Sequence, residues 1–209
     1  MEDLNMTITW LGHSCFILES GGFRALLDPY HEVPGLPDTE AEADAVYCSH
    51  DHFDHGYTEK VRLTSGRENP FSVTEVQTFH DDKGGTLRGS NVIRKFTAGG
   101  VSVAHFGDLG HPLSPEQLAE LGGCDAILIP VGGFYTIDAA GAKAAADAVG
   151  ASVVVPMHYR DGAVGFDVLS TLDSFTGLYP PEQVKRYGSS LTIEKGMEKQ
   201  VAVLTAAGR

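Results

Sequence analysis

Directly behind the short apolar run Ala45–Ser49, the chain packs three imidazoles and two carboxylates into the six residues His50-Asp51-His52-Phe53-Asp54-His55. Histidine and aspartate are poor core fillers, and such a density of polar groups at the end of a buried strand costs solvation unless something binds them. A tight turn there sends alternate side chains to neighbouring points. His50 and His52 are expected to face one ion, and Asp54 and His55 a second. Asp51 points away by the same alternation and reads as a supporting carboxylate. Imidazole and carboxylate donors suit zinc, manganese or iron alike.

Three further candidates fall just past other strand-like runs. His80 follows Val73–Phe79, Asp108 follows Val101–Phe106, and His158 follows Val153–Val155. Loops at the carboxyl ends of strands are where layered α/β domains build their sites. A second rank of candidates surrounds these. Asp28 ends a strand and either orients a ligand imidazole or merely makes an Asp-Pro turn. His105 either protonates a leaving group or is a buried, hydrogen-bonded histidine. Tyr135, after Gly132-Gly133-Phe134, and Tyr159 could lend a hydroxyl to a substrate oxyanion. His13 reads as a turn residue supporting the site from behind, and His31 and His111 as plain loop residues.

The organisation around these residues is that of one domain over residues 1–209, with no repeat and no linker. Strands are expected over Thr7–Leu11, Cys15–Glu19, Arg24–Leu27, Ala45–Ser49, Val73–Phe79, Val92–Phe96 and Val101–Phe106. Helix and strand then alternate. Ser114-Pro115-Glu116-Gln117 combines an N-cap serine, a first-turn proline and a capping-box glutamine, and Gly122 stops that helix. Ala126–Ile129 is a strand, Asp138 caps an alanine-rich helix ended by Gly150, and Ser152–Val155 is a buried strand. A helix is expected over Phe166–Phe175, and a closing hairpin from Leu191–Glu194 and Gln200–Leu204. Strands first and alternation later imply sheets covered by helices.

Charge and cysteine narrow the function classes. With 28 acidic against 15 basic residues the net charge is −13, which repels phosphate backbones and anionic headgroups, so neither nucleic acid nor a membrane is an expected partner. A pair of divalent ions would still make a local positive spot, so the expected small-molecule substrate can be anionic. A homo-oligomer is compatible with all of this. Cys15, Cys48 and Cys124 are odd in number and scattered among apolar neighbours, which reads as core filling and not as a disulfide framework. The amino terminus is acidic without an apolar run, so a secretory signal is not expected and the cytoplasm is the expected compartment.

These residues carry a resemblance. The run H-x-H-x-D-H is the signature of the metallo-β-lactamase superfamily. Leu11-Gly12-His13-Ser14-Cys15-Phe16, Leu27-Asp28-Pro29-Tyr30, His105 to Gly110, Pro130-Val131-Gly132-Gly133 and Pro156-Met157-His158-Tyr159 are similar to its compact branch of L-ascorbate-6-phosphate lactonase-like metal-dependent hydrolases. The resemblance implies a four-layer αββα sandwich, two mixed sheets flanked by helices. It implies two divalent ions, zinc first and manganese or iron next, one held by His50, His52 and His80. The second would be held by Asp54, His55 and His158, with Asp108 bridging both. It further implies a hydrolase whose bridging hydroxide cleaves a small ester, lactone or phosphodiester, with Asp54 aiming that hydroxide. Leu109 departs from the small or hydroxyl residue that branch commonly has after the bridging aspartate. An iron-dependent redox enzyme of the same fold and a non-catalytic metal-binding protein are the competing readings.

Overall fold

The computed structural model describes residues 5–208. Two mixed sheets pack face to face. The first orders β1 (Met6–Gly12), β2 (Cys15–Ser20), β3 (Phe23–Leu27), β5 (Ala45–Tyr47) and β13 (Ser190–Ile193) as β13-β1-β2-β3-β5. The second contains β7 (Ser72–Phe79), β8 (Ser90–Ala98), β9 (Val101–His105), β10 (Ala126–Pro130), β11 (Val153–Met157), β12 (Val184–Arg186) and β14 (Gln200–Val203). Its order is β12-β14-β11-β10-β9-β8-β7. A small parallel ribbon, β4 (Ala41–Ala43) with β6 (Val61–Leu63), stands apart.

Alternation along the first sheet divides two hydrophobic clusters. Met6, Ile8, Phe16, Leu18, Ala25 and Leu27 face Phe96, Val103 and Leu128 of the second sheet and make the main core. Their sequence neighbours Cys15, Ile17 and Leu26 turn outward and are covered by Tyr30, Val33 and Ala43. This is the period-two consequence of a pleated strand buried on both faces. The strands β9, β10, β11 and β14 are buried along their whole length, and in β10 and β11, flanked by parallel neighbours, the run is apolar throughout.

The helices form where their caps predict. In α1 (Pro115–Leu121), Ser114 Oγ accepts from Gln117 N at 3.3 Å while Gln117 Oε1 accepts from Ser114 N at 2.9 Å. In α2 (Ala139–Val149), Asp138 caps the first turn and Gly150 ends the last at φ 74°. Both pack on the second sheet, against β7 and β10. The sandwich class therefore holds, but the outer face of the first sheet is covered by the 28–44 segment in place of a long helix.

Two expectations fail locally. The segment expected as a helix over Phe166–Phe175 is helical only in α3 (Asp173–Thr176). Upstream, its backbone bonds go to distant loops: Gly165 N donates to Pro34 O, Ser170 N to Gly132 O, and Arg160 N to Ser170 O. The expected closing hairpin does not form either. β13 pairs with β1 in the first sheet and β14 with β11 and β12 in the second. Leu191, Ile193, Val201 and Val203 all bury in the main core, so their pattern marked the face correctly and left the neighbouring strand undetermined. No helix among the described residues is long and apolar enough to cross a membrane.

Candidate metal centre

The ends of six strands deliver the site. His13 follows β1, Asp28 follows β3, the His50–His55 turn follows β5, His80 follows β7, Asp108 lies past β9, and His158 follows β11. Within the turn, the amides of His55 and Gly56 both donate to His52 O, at 3.0 and 2.7 Å. Gly107 is required beside it: its φ is +53°, and a Cβ there would lie 2.3 Å from Asn91 Oδ1 and 2.5 Å from Ser49 Cβ.

Three sets of donor atoms converge within 4.8 Å of one another: His50, His52 and His80; His13, Asp54, His55 and His158; and His50, His55 and Asp108. Asp108 is central, with His55 Nε2 3.2 Å from its Oδ1, and His80 Nε2 and His158 Nε2 at 3.1 and 3.2 Å from its Oδ2. Yet His55 Nε2, His158 Nε2 and Asp108 Oδ1 have no hydrogen-bond partner, and neither have His50 Nε2, His13 Nδ1 and His158 Nδ1. Among the described residues, buried side-chain atoms in this condition occur elsewhere only at Ser14, Ser20 and Tyr179. Buried polar atoms without partners are costly and rare. Here the residues that carry them each offer one donor atom to the convergent sets, which is what ligands around a cation do.

The far sides of the imidazoles are held by groups that can only accept. His55 Nδ1 donates to Asp28 Oδ2 at 2.8 Å and His80 Nδ1 to the Tyr135 carbonyl at 3.1 Å. His50 Nδ1 lies 2.9 Å from Ser49 Oγ, whose own proton goes to Asp28 Oδ2 at 2.6 Å. Each ring is thereby fixed in the tautomer that leaves Nε2 as a lone pair, the arrangement typical of metal-binding histidines.

At His50 and His13 electrostatics agree with this, whereas at His55 the surrounding carboxylates favour a proton that a cation at Nε2 would replace. Burial, aided by the neighbouring His55, pushes His50 down to about 3, so it is neutral and able to ligate. Burial likewise lowers His13 to about 4. Burial alone would raise Asp28, but the His105 and His55 imidazoles outweigh it and hold the carboxyl at about 2. At Asp108 burial is again opposed, by His158 and His55, and the group lies well below the usual carboxylate range. His55, which burial would lower, is raised well above its ordinary value by Asp108 and Asp28.

A family profile described as a beta-lactamase superfamily domain matches residues 7–158. The chain belongs to the metallo-β-lactamase superfamily. It is similar to a UPF0173 metal-dependent hydrolase of Archaeoglobus fulgidus, 31% identical over 196 residues that cover 74% of this chain and 84% of that protein. It is also similar to a solved protein of Thermotoga maritima, provisionally described as a Zn-dependent hydrolase of the same superfamily. There the identity is 36% and the TM-score 0.77, covering 95% of this chain and 98% of that one. An isothiocyanate hydrolase from Delia radicum gut bacteria shares the fold alone, at 13% identity and a TM-score of 0.67 over 96% of this chain and 97% of its own. The superfamily member described here is accordingly a metal-dependent hydrolase with a His/Asp cluster able to bind metal ions.

The second-rank candidates of this hydrolase separate. Asp28 is the partner of His55 and, through Ser49, of His50. Tyr135 lines the pocket in front of the cluster together with His52, Asp54, His80 and Asp108. His105 does not line it: its Nε2 donates to Ser14 O at 2.9 Å and its Nδ1 accepts from Gly107 N at 3.2 Å, so neither nitrogen is free to protonate a leaving group. Tyr159 is buried against Trp10. His111 Nε2 accepts from Phe79 N, and His31 packs on Tyr57. Cys48 joins none of the donor sets, and all three cysteines are free.

Two residues were under-read from sequence. His13 Nε2 lies 3.3 Å from Asp54 Oδ2, placing it within one of the donor sets, and the glycine-flanked Gly12-His13-Ser14 turn was its only signal. Asn91, fully buried, accepts from Asp108 N at 2.9 Å and donates to Phe106 O, holding the Asp108 loop; nothing in Ser90-Asn91-Val92 announces it. His13, Asp28 and His158 all adopt left-handed backbone, at φ 49°, 44° and 53°. Such conformations cost roughly 1 kcal/mol or more in ordinary residues and cluster at functional sites.

Proposed function

We propose that this hydrolase cleaves a small ester, lactone or phosphodiester at two divalent cations, zinc before manganese or iron. His50, His52 and His80 would hold the first, Asp54, His55 and His158 the second, with Asp108 between them. The observation that carries this is the convergence of partnerless imidazole and carboxylate atoms on Asp108. Cations held there would supply a water of lowered pKa and polarisation of the scissile oxygen.

The side chains supply the rest. Asp54 is kept ionised well below the usual carboxylate range, because the His13 hydrogen bond and the His55 charge outweigh its burial. It accepts the hydrogen bond of the attacking water and aims it. Tyr135 offers its hydroxyl to the developing oxyanion. Lactones are the first substrates to try, on the similarity of the strand-end motifs to the lactonase-like branch. The acidic surface supports a small-molecule substrate, with no nucleic acid or membrane partner, in a cytoplasmic protein that can assemble as a homo-oligomer.

The test joins metal analysis of the purified chain to a screen of lactones, phosphodiesters and carboxyl esters. Two equivalents of metal are expected, with hydrolysis in one of these classes that disappears in His52→Ala and Asp108→Ala. Turnover surviving in metal-poor variants would sink the reading.

A further inference from the structure

We propose that the pocket takes substrates bearing an anionic group, a carboxylate or a phosphate, joined through a short apolar stem to the bond that is cleaved, and that Arg88 recognises the anion. This deepens the hydrolytic reading above, on which it rests for the position of the scissile bond. Beside the candidate ligands His52 and His80, the wall of this pocket of about 250 Å3 is three aromatic rings, Phe53, Tyr135 and Phe166, and one cation, Arg88. Phe166 meets Phe53 edge to face at 6.2 Å and Tyr135 at 6.3 Å, so the rings form a continuous apolar surface. The Arg88 guanidinium lies over the Tyr135 ring, 5.6 Å from its centroid.

Arg88 is half-buried, and among the described residues no carboxylate lies within ion-pair distance of it. Acids outnumber bases 28 to 15, and of the described lysines and arginines without a carboxylate partner Arg88 alone lines this pocket. Other cations have found partners, as Lys60 has in Asp38, Arg67 in Asp44 and Arg94 in Glu75. A guanidinium that is stacked, partly desolvated and left without a carboxylate is arranged for bidentate pairing with a planar or tetrahedral anion.

The arm that carries it is built to hold it still. Asp81 Oδ1 accepts from the amides of Lys83 and Gly85 at 2.8 and 2.9 Å, and its Oδ2 from those of Leu87 and Arg88 at 3.0 and 2.8 Å. His80 N donates to Gly89 O at 3.0 Å and closes the arm at its base. The loop that presents Arg88 thus starts and ends at a candidate metal ligand. A net charge of −13 repels anions at long range, so a neutral substrate would need no such cation and an anionic one does. The pocket volume limits the stem to about one ring or a short chain.

The test uses the 209-residue chain with its metal and three single-ring probes: benzoate, phenyl phosphate and the neutral benzamide. Titration calorimetry should show the anions binding at least tenfold more tightly than benzamide, and the tighter anion identifies the group the substrate carries. In Arg88→Met that preference should fall to near unity at unchanged zinc content, and Arg88→Lys should keep part of it. Should Arg88→Met fold poorly, Arg88→Gln, which preserves length and polarity, should lose the preference equally. An anion preference that persists at wild-type strength in the Met and Gln variants, or equal binding of benzoate and benzamide to the wild type, overturns the proposal. Zinc stoichiometry on the same samples reads the metal centre separately, so failure of that reading and failure of this one appear in different measurements.

Discussion

Asp28 Oδ2 sits 2.8 Å from His55 Nδ1 on the side of the ring away from Asp108, and the same oxygen takes the Ser49 hydroxyl that in turn faces His50. One buried carboxylate thereby sets the tautomer of two candidate ligands. Asp28→Asn preserves the φ of 44°, which asparagine tolerates, but can turn an amide N–H2 towards His55. The imidazole would then carry its proton on Nε2, where a cation needs a lone pair. Metal affinity should drop roughly 10- to 100-fold, measured by competition with a chromophoric chelator; wild-type affinity in this variant would show that Asp28 has no hand in ligation.

His13 reaches the second donor set through Asp54. His13→Asn keeps the left-handed turn and removes the ring. If two cations bind as proposed above, affinity for the one beside Asp54 should weaken about tenfold, while the one assigned to His50, His52 and His80 should be unaffected. Stepwise metal titration by mass spectrometry under native conditions should show one of the binding steps weakened relative to the parent; no change at any step would show that His13 takes no part in ligation.

His105 is buried with both nitrogens bonded, to Ser14 O and to Gly107 N. His105→Ala leaves a carbonyl and an amide without their partner in the interior, so stability should fall by about 1–3 kcal/mol. A purely structural role shows as a lowered midpoint of denaturant unfolding with an unchanged pH profile of turnover. A shifted acidic or basic limb of that profile would restore it as the proton donor.

Asp81 gives a pH dependence with a defined sign. Burial works to raise its pKa, but the amides of Arg88, Lys83, Gly85 and Leu87 outweigh it and hold the carboxyl at about 2. A depressed acid stabilises the folded arm in full above its unfolded value of about 4 and loses that contribution as pH falls through its folded value. The amide signals of Lys83, Gly85, Leu87 and Arg88 should shift together with a midpoint near pH 2 in NMR titration. In Asp81→Asn the common titration should vanish and benzoate binding should weaken with the arm. Independent shifts at those four amides would show that no single carboxylate organises the arm.

The amino-acid sequence alone determined what is local. Caps at Ser114 and Asp138, stops at Gly122 and Gly150, alternation in β1–β3 and the unbroken runs of β10 and β11 each depend on neighbours a few residues away. The strand-end positions of His50 to His55, His80, Asp108 and His158 followed from the same patterns. Only tertiary structure decided the rest, because it turns on partners distant in the chain. Leu191 and Val201 bury in one core but belong to different sheets, since period-two patterning specifies a face and not a neighbour. The Phe166 segment satisfies its backbone through Pro34 and Gly132, a competition with helix formation that no local propensity registers. His105 loses its freedom to Ser14, 91 residues away, while Arg88 gains its position from Asp81 and its aromatic neighbour from a loop after β10. Ligand identity is written in residue types and spacing, whereas the proton on each imidazole and the charge beside each pocket are set by whatever the fold brings near.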